Sequence, residues 1–125
     1  MTGTASADDT TPWSLPSYQT AQASGTWKAV ALPIFDDYLE VDGTLTNTGS
    51  GCYHVQITGV DVYGTEWASG SSGGRCGPGT APVTLYAPQW VDGPILYDYV
   101  NLRICQGSGD QTSDCGPATT IYSDF

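Results

Sequence analysis

The chain has 125 residues, 39% of them hydrophobic and only 13% charged, with 13 Asp and Glu against 3 Lys and Arg, a net charge of −10. That is the size of one domain, and the apolar content excludes a wholly disordered chain. No stretch approaches the roughly 18 apolar residues of a membrane span, and the negative charge repels phosphate backbones and anionic lipid surfaces, so neither nucleic acid nor a membrane is expected as a partner.

Residues 1–24 show no apolar periodicity. Ala5-Ser6-Ala7 before Asp8 has the small-x-small form of a signal-peptidase site, so residues 1–7 read as the remnant of a removed signal. The rest is rich in Thr, Ser, Ala and Gln, with Pro12 and Pro16 favouring extended backbone. The expectation is a flexible arm over 1–24 that orders on a partner through Trp13 and Tyr18, ahead of a domain over 25–125.

From Gly25 the pattern turns to short β-like runs. Gly25 to Leu32 is the first, ended by Pro33. Asp37 to Asn47 alternates, with Leu39, Val41 and Leu45 on one face and Tyr38, Glu40, Asp42, Thr44 and Thr46 on the other. After the turn Thr48-Gly49-Ser50-Gly51 comes Cys52 to Tyr63, one long strand or two short ones, whose apolar phase flips between Ile57 and Val60 and predicts a bulge or a strand bend at Thr58-Gly59. Thr65 to Ala68 is a short edge candidate, and the glycine-rich stretch from Ser69 to Thr80 reads as a loop. Val83 to Ala87 and Leu96 to Ile104 alternate again, the latter interrupted by Asp98, and Ala118 to Tyr122 forms the last run. Seven or eight short strands without an amphipathic helix predict an all-β antiparallel β-sandwich, Ig-like or a related Greek key.

Cys52, Cys76, Cys105 and Cys115 lack the close C-x₂-C pairs of a zinc site. An even number in a small lysine-poor chain points to two disulfides and an oxidising, extracellular compartment. Of the three possible connectivities, Cys52–Cys76 with Cys105–Cys115 is favoured, because the second pair would clamp the flexible Gln106 to Asp110 stretch.

No catalytic constellation emerges. His54 is the only histidine, set in a strand without a nucleophile elbow. Asp61, Glu66, Asp92 and Asp98 have no spacing that selects an acid pair. Asp36-Asp37 with Glu40, and Asp110 with Asp114, lack the spacing of a dedicated calcium loop. The expectation is no enzyme, no metal and no cofactor.

Aromatics are more informative, with four Trp and eight Tyr. A sandwich core takes Trp27, while Trp67, Tyr97 and Tyr99 are candidate binding residues, since tyrosine and tryptophan favour recognition surfaces. Thr120, on the terminal strand, is the candidate for pairing with an added partner strand, as the chain has little lysine with which to guard an edge. Arg75, beside Cys76 in the glycine-rich loop, raises the alternative of an enzyme inhibitor.

The stretch from Val41 to Cys52, and Val100 to Cys105 followed by Cys115, resemble the small secreted β-proteins of actinomycetes, among them the adaptor subunits of umbrella toxin particles. The resemblance implies a β-sandwich that joins a helical-repeat stalk to a lectin-like subunit, with an extended N-terminal segment involved in docking. The expected function is a non-catalytic secreted adaptor that binds other secreted proteins. A carbohydrate-binding module and a small enzyme inhibitor are the alternatives.

Overall fold

A computed structural model describes residues 10–30, 38–61, 63–88, 90–91, 95–107 and 114–122. Among these lie ten strands: β1 (Thr11–Ser14), β2 (Ala21–Val30), β3 (Tyr38–Asn47), β4 (Cys52–Asp61), β5 (Glu66–Ser71), β6 (Arg75–Cys76), β7 (Gly79–Pro88), β8 (Trp90–Val91), β9 (Ile95–Gln106) and β10 (Thr119–Tyr122). Two antiparallel sheets pack face to face. One has the order β1-β2-β3-β7 and the other β10-β9-β4-β5, with β6 added to β4 and β8 to β9. With β2, β3 and β7 as A, B and E, and β4, β9 and β10 as C, F and G, this is the Ig-like arrangement, β5 extending the second sheet as a C′ strand does. No helix among the described residues is long and apolar enough to cross a membrane.

Alternation builds the core. Leu39, Val41 and Leu45 of β3, Val83 and Leu85 of β7, Val55 and Ile57 of β4, and Val100, Leu102 and Ile104 of β9 are buried between the sheets. The β-branched and aromatic residues of these strands suit a pleated, half-buried surface. Full burial of each aliphatic side chain contributes about 1.5–3 kcal/mol. Trp27 packs partly buried against this core, as expected.

The segment expected as a flexible arm is built into the sandwich from Thr11 onward. β1 pairs with β2 from Thr11↔Trp27 to Ser14↔Ser24, and β2 begins at Ala21 rather than Gly25. Trp13 and Leu15 are buried, at 5% and 4% exposure. The physical reason is a notch. Gly25 and Gly43 face each other across β2 and β3, and neither has a side chain to fill the space above them. The indole of Trp13 fills it, and its Nε1–H donates to the carbonyls of Thr26 (3.0 Å) and Asp42 (3.2 Å). Residues 1–7, read as a signal remnant, lie outside the described residues.

Two irregularities were legible only in part. The apolar phase flip in β4 is no bulge in the β4–β9 ladder, which runs unbroken from Tyr53↔Gln106 to Val60↔Tyr99. The shift lies against β5, where Ile57 pairs with Gly70 and Thr58 with Ala68, leaving Ser69 over. Val60 therefore joins His54 and Thr58 on the face of β4 turned away from the core, and all three are buried. In β9 the ladder shifts between Val60↔Tyr99 and Asp61↔Tyr97. Asp98, which broke the apolar alternation, is the residue left without a ladder partner. The stretch read as a loop from Ser69 carries the end of β5 and the short β6.

Both disulfides have the favoured pairing, and each joins residues directly opposite across antiparallel strands or a bridge: Cys52 with Cys76, and Cys105 with Cys115. Around them one end of the sandwich is cross-linked by polar groups. Buried Asn47 donates from Nδ2 to the carbonyls of Gly49 (3.1 Å), Gly51 (2.8 Å) and Gly77 (3.0 Å). Its Oδ1 accepts from the Thr20 hydroxyl (2.7 Å) and the Gly49 amide (3.1 Å). One amide side chain thus ties three loops together, and each of its hydrogen-bonding groups is used.

Candidate binding surface

The residues singled out in the sequence are not gathered into one site. Trp13 is a core residue and not a free contact. Tyr18 is partly buried against the core, edge-on to Tyr53 at a ring separation of 6.3 Å. Thr120 is exposed on β10 and donates to Asn101 Oδ1 at 2.7 Å, so it sits at a sheet edge as expected. Trp67 lies in β5, the opposite edge of the same sheet, in register with Gly59, and its side chain lies outside the described residues, like that of Tyr97. Tyr99 is half-buried and pairs with Val60. The register shift between Tyr97 and Tyr99 breaks the alternation that would have placed both on one face.

Three other candidates have definite partners in the fold. The Nδ1 of buried His54 lies 2.8 Å from the Gly107 carbonyl, which can only accept, so Nδ1 carries the proton. Asp61 accepts from the amides of Tyr63 (2.8 Å) and Thr65 (2.9 Å) and shapes the β4–β5 turn. Arg75, the residue of the inhibitor alternative, folds back onto the carbonyls of Gly77 (3.3 Å) and Pro78. Among the described residues no three His, Cys, Asp or Glu side chains gather to hold a metal. Asp36, Asp37 and Asp110 lie outside them.

All three basic side chains are engaged: besides Arg75, Lys28 pairs with Glu40 at 3.5 Å, and Arg103 reaches Gln56 at 2.9 Å and Glu66 at 3.8 Å.

The sheet β1-β2-β3-β7 has a regular outer face. Strand register sets the side chains in rows: Gln22, Thr46 and Thr80; then Ser14, Ser24, Thr44 and Pro82; then Pro12, Thr26, Asp42 and Thr84; then Lys28, Glu40 and Tyr86. Period-2 placement of Thr and Ser on three neighbouring strands makes this face. The signal was present in the sequence as Thr44-x-Thr46, Ser24-x-Thr26 and Thr80 to Thr84, but only the register shows that these stack side by side. Tyr86 is 49% exposed, and with Tyr63 it is one of two large exposed aromatics or aliphatics among the described residues.

At the disulfide end this face runs into a groove of about 160 Å³ lined by Ser17, Gln19, Thr20, Ala21, Gln22, Thr46 and Thr48. One wall is the tight turn Gln19-Thr20, closed by reciprocal backbone bonds between Tyr18 and Ala21 at 2.9 and 3.0 Å. Gln19 has φ of 55°, a left-handed conformation that costs a non-glycine residue about 1–2 kcal/mol. It is held there because its Oε1 accepts from the Tyr53 hydroxyl (2.6 Å) and from Gln106 Nε2 (2.7 Å). Desolvation first, and then Asp114 and Tyr53 nearby, raise the Tyr18 hydroxyl above its ordinary pKa.

Compared with protein-family models and with curated proteins, the chain matches none.

Proposed function

We propose that this protein is a secreted, non-catalytic adaptor that binds other secreted proteins through the outer face of β1-β2-β3-β7. The supporting observation is the half-exposed Tyr86 at the side of neighbouring rows of Ser and Thr hydroxyls. Tyrosine supplies large contact area at low entropy cost, and small hydroxyl residues supply adaptable hydrogen bonds, the composition of polar recognition surfaces. A sheet whose long strands pair without a register shift, from Ala21↔Asn47 to Val30↔Tyr38 and from Tyr38↔Pro88 to Asn47↔Gly79, presents such a surface with little ordering cost on binding. The disulfides are consistent with an extracellular setting. The resemblance to the adaptor subunits of umbrella toxin particles supports the same reading.

The test is affinity capture from the secreted fraction of the producing cells, comparing the parent with Tyr86→Ala and Thr84→Arg. A discrete multi-protein complex recovered by the parent and lost by both variants supports the proposal. Equal recovery by all three proteins rejects this face. The inhibitor alternative is weakened by the engagement of Arg75 with its own loop, whereas a carbohydrate reading has a specific feature behind it, the polar groove.

A further inference from the structure

We infer that the groove between the Gln19-Thr20 turn and the end of β3 is a binding subsite for the terminal ring of a neutral saccharide. This does not rest on the adaptor reading, because the groove and Tyr86 stand in different rows of the sheet.

The lining selects the chemistry. It holds four hydroxyls, two side-chain amides and one alanine, with no charged group. Hydroxyls and amides both donate and accept, as a sugar ring requires around its rim. The threonine methyls and Ala21 offer small apolar contacts for C–H faces. A hydrophobic ligand finds no aromatic or aliphatic pocket here. An extended peptide needs recesses for alternate side chains, and this lining has no large apolar side chain to form one. Anions are opposed by the net charge of −10 and by the engagement of all three cations elsewhere. At about 160 Å³ the space is below the several hundred Å³ of a drug-sized site, which suits one ring rather than a chain.

The lining also divides into fixed and free groups. Thr20 is committed to Asn47, and Thr48 binds the Thr20 carbonyl through its amide (3.0 Å) and its hydroxyl (3.3 Å), so the groove is braced by the same buried asparagine that ties the loops. Gln19 is braced through its Oε1 by Tyr53 and Gln106. By contrast, Ser17, Gln22 and Thr46 make no side-chain hydrogen bond to another described residue. Their side chains are exposed and available to a ligand.

The test is an amide-resolved magnetic-resonance titration of the full chain with the methyl glycosides of glucose, galactose, mannose and N-acetylglucosamine. The expected result is saturable shifts from at least one of them, confined to residues 17–22 and 46–48. Thr46→Val and Gln22→Ala should each weaken that binding about five-fold, the worth of one net hydrogen bond. Tyr86→Ala should leave it unchanged, which separates this site from the adaptor face. Three results would overturn the inference: no saturable shift from any of the four sugars, shifts that survive both groove variants undiminished, or tighter binding of glucuronic acid than of every neutral sugar.

Discussion

The indole of Trp13 lies on the backbone of Gly43: a methyl group at Gly43 would stand 2.7 Å from Trp13 Cζ2. Gly25, opposite Gly43, has still less room, since a methyl group there would stand 1.9 Å from the Asp42 carbonyl oxygen. The edge strand β1 is thus held by one large side chain seated where two neighbouring strands carry none.

This seating predicts large effects from a segment that looks dispensable. Trp13→Ala should cost about 3–5 kcal/mol, the range for emptying a buried aromatic site. Gly43→Ala should cost about 1–3 kcal/mol by overpacking against the Ser24 carbonyl oxygen, 2.2 Å from the new methyl, and against the ring. Deleting residues 1–14 should destabilise at least as much as Trp13→Ala. Denaturant unfolding monitored by fluorescence measures all three, and a truncated protein as stable as the parent would contradict the role of β1.

The class of fold was legible because alternation is a property of each strand taken alone. Leu39, Val41 and Leu45, or Val100, Leu102 and Ile104, announce a buried face without reference to any other segment. The disulfide pairing followed from loop composition. The arm was misread because β1 gives the core only Trp13, set among polar neighbours, and its reason for packing lies in glycines 12 and 30 residues further along. An isolated glycine within a strand pattern is the signal, since it often marks the close approach of another group. Nor could the hydroxyl face be read from one strand, because it exists only once β2, β3 and β7 are placed in register.

The two disulfides should differ in how readily they are reduced. Cys76 is exposed on the two-residue β6, whereas Cys105 is fully buried. Thiolate attack requires access to sulfur. Graded reductant followed by alkylation and peptide mapping should label Cys52 and Cys76 first. Loss of Cys52–Cys76 should cost about 3 kcal/mol by the loop-closure argument, and Asn47 bonded to Gly77 should still hold the loop. Simultaneous labelling of all four cysteines would show that the fold opens as one unit.

Alkaline pH should loosen the corner formed by Tyr18. Its hydroxyl is raised above the ordinary value of 10.0 in the folded protein, by desolvation first and then by Asp114 and Tyr53. A raised folded-state value means the unfolded chain loses its proton first. The stabilising contribution is therefore complete below pH 10 and declines as pH rises through the folded-state value. Ultraviolet titration should show a tyrosine that ionises above the ordinary value of 10.0, absent in Tyr18→Phe. The Phe variant should also lose stability less steeply above pH 10. Identical titration curves for the two proteins would contradict this assignment.

The last prediction concerns how a lysine-poor sandwich guards its edges. β7 borders its sheet over ten residues, and its ladder with β3 is continuous from Asn47↔Gly79 to Tyr38↔Pro88. Proline has no N–H and fits a paired strand only where the N–H would point away from the neighbour. Pro82 therefore faces the free edge, and by two-residue alternation so does Pro88. Each removes a donor that another chain's strand would need. β1 is guarded in the same way by Pro12, and the ladders of β5 and β10 carry register shifts at Ser69 and Ile121 that spoil a straight template. Replacing exposed Pro82 with Val restores a donor at the middle of the longest open edge and adds β-propensity. Pro82→Val should fold with unchanged spectra and self-associate as concentration rises, with sedimentation velocity showing the shift. A variant that stays monomeric wherever the parent does would mean that Pro82 does not guard this edge.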